Sequence, residues 1–410
     1  MKTGLVLCDK GIKGLDMSQV KKGNPGMGGT EFLFLLLAYY LHEAGMEVTI
    51  YHFEENILPV HDELVADYKS AFKKGKENNE DIFIIKNTEE LSIYEDFDKS
   101  GLKGIVWCHN FLSVPEMKLF NKLDSIKRVV MVGRQMYDYY LDEPLIKKID
   151  YCFNMFIPNG MKRNEACPPN VTYIGSLCYQ KHFHILAKYW KEIVKEVPDA
   201  CLHVIGSGRL YDRNEKLGPL GIAGEDYENE FLPYLTDDNG KLLDSVIFHG
   251  LMGVEKFDIL KETKVGVVNP MAATETFCLC AVEMESLGIP VVSRKKNGLL
   301  DTIRHEETGL LYTKEEELPS YVVRLLKDEE LNKKLGANAE DFANKAFLPE
   351  EIMNKWVEIL NEVYENKAPR FNKPKDYFFN NGKRIRLLIC YLRRFPLFRH
   401  IPSIHDIQGK

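Results

Sequence analysis

Three glutamates, Glu275, Glu283 and Glu285, stand in the apolar stretch NPMAATETFCLCAVEMESLGIPVVS, residues 269–293. A carboxylate taken out of water is costly unless something pairs with it or donates to it. The stretch therefore points to a site whose remaining partner arrives with a ligand. Phe277, Cys280, Ala281, Met284 and Leu287 recur at helical spacing, Gly288 is a stop signal and Thr276 reads as the N-cap. Glu275 then lies in the loop before the helix. Glu283 lies two turns in, roughly 12 Å along the axis. Carboxylates accept from vicinal diols, so this pair suits two hydroxyl-rich ends of one elongated ligand. Glu285 reads as solvated or salt-bridged.

Glycines supply the complementary chemistry. GNPGMGGTEF (23–32), with Gly28 and Gly29, falls between an apolar strand and an apolar helix, where backbone amides and a helix N-terminus can approach an anion. VIGSG (204–208), with Gly206 and Gly208, follows a later strand in the same way. One such loop is as often a tight turn as a phosphate cradle. Two of them favour a diphosphate as the ligand's middle.

The elements that must position these residues are short β-branched runs separated by helix-length segments. Leu5–Cys8, Val48–His52, Ile82–Ile85, Ile105–Trp107 and Val129–Val132 read as strands in the first part of the chain. Val171–Ile174, Cys201–Ile205, Val246–Phe248, Val265–Val268 and Pro290–Ser293 read as strands in the second. That alternation predicts parallel βαβ units, hence an α/β protein with two doubly wound, Rossmann-like domains facing a central cleft. The break falls in IPNGMKRNEACPPN, 157–170, where periodicity stops. The expected organisation is an N-terminal domain over 1–160, a second domain over 161–345, a helix over 346–367 returning towards the first, and a tail over 368–410.

At 410 residues the chain exceeds a single core, and 45% apolar with 28% charged residues is an ordinary globular composition. The net charge of −7 is unevenly spread. The tail carries ten Lys/Arg against Asp376 and Asp406, which leaves residues 1–367 at −15. An acidic body argues against nucleic acid as the partner. Nine cysteines without a C-x-x-C pair fit neither a zinc site nor a disulfide framework, so reduced thiols in the cytoplasm are expected. The start reaches Asp9 too soon for a signal peptide, and the longest apolar run, Phe32–Leu41, is too short to span a bilayer.

The opening stretch resembles the signature of the retaining glycosyltransferases of family 4, the group 1 glycosyltransferases with the GT-B fold. In that family a glutamate, seven residues and a second glutamate precede a small-residue-Pro-Val-Val strand. Here these are Glu275, Glu283 and Gly288-Ile289-Pro290-Val291-Val292. YIGSL (173–177), VPDACLHVIGSG (197–208), VIFHG (246–250), KVGVVNP (264–270) and NGLLDTIRHEETGLLY (297–312) follow the family's donor-domain order. GGTEF (28–32) and IPNG (157–160) fit its first domain and linker.

The resemblance implies transfer of a sugar from a nucleotide diphosphate sugar to an acceptor hydroxyl, with retention, in cell-surface polysaccharide or glycolipid assembly. It places Glu275 at the donor sugar, Glu283 at the ribose, and backbone amides of Thr276, Phe277 and Cys278 at sugar and phosphates. It makes His109, in VWCHN, the active-site histidine, and Lys181 a diphosphate contact. The family's arginine five residues before that lysine is Ser176 here, and Cys278 replaces the usual glycine. No metal and no cofactor are expected. Asp96-Phe97-Asp98 has the form of a metal-binding Asp-x-Asp, but sits in the polar stretch NTEELSIYEDFDKSG and reads as a solvated helix end. The alternatives are a sugar-nucleotide epimerase of the same fold and a catalytically impaired nucleotide-sugar-binding partner protein. In the tail, Ile385, Leu388, Ile389, Leu392 and Phe395 recur at helical spacing, with Lys383, Arg386, Arg393 and Arg394 towards the other side. Residues 383–410 are therefore expected to hold the protein peripherally at an anionic membrane surface, at the cytoplasmic face, where the acceptor would be lipid-linked. The competing expectation is that this helix packs on the acidic body.

Overall fold

The computed structural model describes residues 1–24, 27–158, 160–210 and 215–408. Pro25 and Gly26 of the first glycine loop and Asn159 of the linker lie outside the described residues. The chain divides into two compact units. Unit 1 comprises residues 1–21, 30–155 and 349–410; unit 2 comprises 22–29 and 156–348.

Unit 1 holds a seven-stranded sheet: β1 (Lys2–Val6), β2 (Glu47–His52), β3 (Asp62–Leu64), β4 (Ile82–Lys86), β5 (Gly104–Cys108), β6 (Ile126–Met131) and β7 (Ile149–Tyr151). Its order is β3-β2-β1-β4-β5-β6-β7, with every pairing parallel. The central strands are buried on both faces, which is why they read as continuous apolar runs such as IFII and IVWC. The helix Gly29–Glu43 buries Phe32 through Ala38 and Leu41, so its uniformly apolar sequence marks a core helix.

Unit 2 holds six parallel strands: β8 (Asn170–Ile174), β9 (Cys201–Ile205), β10 (Val246–Gly250), β11 (Val265–Val267), β12 (Val291–Arg294) and β13 (Gly309–Tyr312). The order β10-β9-β8-β11-β12-β13 reverses direction between β8 and β11, the switch point at which doubly wound sheets bind ligands. Trp190, Phe183, Phe231, Leu202 and Val265 build its core.

The helix Pro349–Tyr364 belongs to unit 1, where buried Trp356 meets Trp107 of β5 at 5.0 Å between ring centroids. The tail also belongs to unit 1. Its helix, Lys383–Leu392, turns charged residues inward: Lys383 Nζ lies 2.9 Å from Asp138 and Arg386 Nη1 lies 2.7 Å from Asp142. Ile389 is buried, whereas Ile385, Leu388 and Phe395 are exposed. Lys383 and Arg386 thus face acidic residues of unit 1, while Ile385, Leu388 and Phe395 are left on the outer side. The reason is local: two buried carboxylates of unit 1 need cations more than its surface needs further apolar cover. No helix among the described residues is long and apolar enough to cross a membrane.

Candidate active site

Three strand ends of unit 2 assemble the predicted residues. Ser176 follows β8, Gly206 follows β9, and Asn269 and Glu275 follow β11, so β8 and β11 flank the switch point with the chemistry between them. Gly206 has φ +150°, and a Cβ there would fall 1.9 Å from the Gly175 carbonyl oxygen. No other residue lets these two loops touch. Gly208 packs against Ala223. Buried Ser176 donates its hydroxyl to the Ser207 carbonyl at 3.2 Å, so it ties the two loops together.

Glu275 is buried, and its Oε2 accepts from Lys181 Nζ at 2.8 Å and Asn269 Nδ2 at 2.8 Å. The Cys278 backbone N–H also donates to this carboxylate. Burial alone would raise the Glu275 pKa. Lys181, Asn269 and that amide outweigh it and hold the pKa below the usual glutamate range. Asn269, with φ +29° and its carbonyl held by Ser293, is a member of the site that sequence reasoning missed. Its position at the end of an apolar strand was the available signal.

The helix behind Glu275 runs from Leu279 to Ser286, and Thr276 is not its N-cap. That place is taken by Cys278, in the left-handed conformation at φ 75°, ψ 74°, with no side-chain cap bond. Residues 276–277 are held ahead of the helix because their backbone packs on Gly298, where a Cβ would fall 2.2 Å from the Thr276 carbonyl carbon. Phe277 is buried against Phe347 at 5.3 Å.

Glu283 has a partner of its own. Lys256, from the short helix Lys256–Leu260, sets its Nζ 2.7 and 2.9 Å from the two Glu283 oxygens, and both side chains are largely buried. Burial would lower the Lys256 pKa, but the carboxylate raises it above the ordinary lysine value. Lys256 was also missed. The signal was a lysine four residues before Leu260 on the buried side of an amphipathic turn. The two ion pairs lie at the same helix start: Cys280, its thiol pushed up to about 12 mainly by burial, feels Glu283, Lys256, Lys181 and Glu275.

Glu285 corrects the expectation of a solvated or salt-bridged carboxylate. It is fully buried and accepts from the Thr308 hydroxyl at 2.7 Å. Burial raises its pKa well above the usual value, which favours the protonated form at this position.

In unit 2, Gly28 is buried and Gly29 opens the helix Gly29–Glu43 with free space where a Cβ would point. In unit 1, buried His109 follows β5; its N–H donates to Asn87 Oδ1 at 3.0 Å and its ring meets Trp107 at 4.5 Å. Burial, helped by Lys86, lowers its pKa to about 3, so the imidazole is neutral at physiological pH. Asp96 lies on the helix Ser92–Ser100 and pairs with exposed Lys99 at 2.8 Å, while Phe97 between the two aspartates is in the core.

Residues 162–342 match the family model of the glycosyl transferases group 1. The putative glycosyltransferase YtcC of Bacillus subtilis (strain 168) is 21% identical over 324 residues, covering 77% of this chain and 68% of the relative. The trehalose synthase of Pyrococcus horikoshii is 30% identical over 203 residues, 48% of this chain and 44% of the relative. Among solved structures, Anabaena HepE in complex with UDP-glucose superposes with a TM-score of 0.67 at 16% identity, covering 88% of this chain and 99% of HepE. Residues 162–342 are thus similar to the glycosyl transferases group 1, and the chain adopts the GT-B fold.

Proposed function

We propose that the protein is a retaining glycosyltransferase of family 4 type. It moves a sugar from a nucleoside diphosphate sugar to an acceptor hydroxyl in cell-surface polysaccharide or glycolipid assembly, without a metal. The observation that carries this is the pair of buried lysine–carboxylate contacts at one helix start, Lys181 on Glu275 and Lys256 on Glu283. Each carboxylate keeps lone pairs for hydroxyls, since an ionised carboxylate offers about four acceptor positions. Glu275 accepts from the hydroxyls of the donor sugar and Glu283 from those of the ribose.

Lys181 faces the charge that builds on the departing diphosphate as the bond to the anomeric carbon breaks, with Gly28, Gly29, Gly206, Gly208 and the backbone at Thr276, Phe277 and Cys278 as further donors. Ser176 shapes that pocket but supplies no charge. Three donors on Glu275 make it a poor nucleophile, which favours a role in holding the sugar over one in forming a covalent intermediate. His109 acts as a neutral hydrogen-bonding group. UDP-glucose in HepE supports a nucleotide donor.

The test is a thermal-shift panel of UDP-, GDP- and ADP-sugars in excess chelator, followed by NMR of the product of the stabilising donor. One donor class is expected to raise the midpoint, and the product is expected to keep the donor's anomeric configuration. Inversion, or activity that returns only on adding a divalent cation, would refute the respective part of the reading.

A further inference from the structure

The tail exposes several large apolar side chains. Leu397 and Phe379 are each 84% exposed, Phe395 61%, Ile385 58% and Leu388 57%. These side chains fall on one stretch, 379–397, and the chain carries no Asp or Glu from 377 to 405. Arg384, Arg394 and Arg399 are exposed on the same stretch. Two of them lie over aromatic rings, Arg384 over Phe379 at 5.0 Å and Arg394 over Tyr391 at 4.7 Å.

The orientation is imposed from below. Lys383 and Arg386 are held by Asp138 and Asp142, Arg393 donates to the Ile401 carbonyl, and His405 Nδ1 lies 2.7 Å from Glu143. With those cations spent inward, the helix can present only its apolar side and the remaining arginines. Beside them is a cavity of about 490 Å³ with Arg399, His400 and Ile401 on its wall. The carboxylates that also line it are engaged, Asp142 by Arg386 and the Ile404 amide, Glu143 by His405, and Asp406 by Ser403. Of the two arginines on that wall, Arg393 is engaged by the Ile401 carbonyl and Arg399 is exposed.

From this arrangement we infer that residues 379–399 dock unit 1 on an anionic lipid bilayer. Phe379, Ile385, Leu388, Phe395 and Leu397 enter the headgroup boundary, and Arg384, Arg394 and Arg399 meet lipid phosphates. Charge complementarity selects the occupant: a surface with exposed arginines and no acid among its 29 central residues, 377–405, fits an anionic sheet better than a second copy of itself. This inference stands apart from the transfer reaction, because it rests on unit 1 alone.

Full-length protein is to be co-sedimented with vesicles of phosphatidylcholine alone and of phosphatidylcholine mixed with phosphatidylglycerol. Binding to the mixed vesicles is expected at low salt, weakening as salt rises. Arg394→Gln and Arg399→Gln should each weaken it about fivefold. Leu388→Ser with Leu397→Ser should release the protein without moving its thermal midpoint, since both side chains are already in water. Protein that stays in the supernatant with both vesicle types overturns the inference. So does binding that survives all four substitutions, or a self-association in sedimentation velocity that Leu388→Ser disperses, which would make this face a contact between copies.

Discussion

Lys256 and Glu283 make the sharpest residue-level expectation. If Lys256 aims Glu283 at the ribose diol, Lys256→Met lowers affinity for a nucleoside and its diphosphate by a similar factor. It should also narrow the preference for ribo- over deoxyribonucleotides. A residue that merely stabilises the fold would leave that preference unchanged, and a residue on phosphate would weaken only the diphosphate. Calorimetric titration of the four ligands separates these outcomes. Breaking a buried pair costs about 3–5 kcal/mol, so Lys256→Met should also lower the thermal midpoint.

Glu285 has a pH signature instead. Its folded pKa is raised above the ordinary 4.5, so its favourable contribution is complete below that value and is lost as pH rises towards the folded pKa. Glu285→Gln stays neutral in both states and can still accept from Thr308. Its stability advantage over the native residue should therefore be near zero at pH 4.5 and grow by about 1.4 kcal/mol per pH unit above it, until the folded pKa is reached. Denaturant melts at three pH values test this, and a pH-independent difference would contradict it. Both glutamates were legible as unusual from their apolar surroundings. Their separate fates were not, because the partners Lys256 and Thr308 come from distant segments.

At the scale of elements, the strands that sequence reasoning missed are β3, β7 and β13. All three are sheet edges of three or four residues, and DEL and IDY carry no apolar run. Central strands were legible because burial on both faces writes itself as consecutive apolar residues. The start of the helix at Leu279 was not legible, since a left-handed cysteine at the N-cap goes against local preference and is held by tertiary packing. The helix Pro349–Tyr364 carries a prediction of its own. Trp356 is fully buried on Trp107, the neighbour of His109, so Trp356→Ala should cost about 3–5 kcal/mol. Urea unfolding is expected to show unit 1 melting earlier, with nucleotide binding retained in unit 2. Loss of nucleotide binding with no change in the melt would contradict this placement.

At the scale of the whole molecule, the alternation of strands and helices was enough to foresee two parallel sheets, since parallel pairing requires long crossovers. Each unit is assembled from segments far apart in sequence: 349–410 returns to unit 1, and 22–29 joins unit 2. Amphipathic spacing marked the tail as a surface element but could not show which side faces inward. That was decided by Asp138 and Asp142, carboxylates that need Lys383 and Arg386. The central claim is that the helix start at residues 275–283 binds a nucleoside diphosphate sugar. Isothermal titration of UDP, GDP and ADP into the wild type and Glu283→Ala, side by side, tests it most directly. One diphosphate is expected to bind the wild type and to bind Glu283→Ala at least about tenfold more weakly, a loss of about 1.4 kcal/mol. Equal affinity in the two proteins, or no binding of any of the three to the wild type, would contradict it.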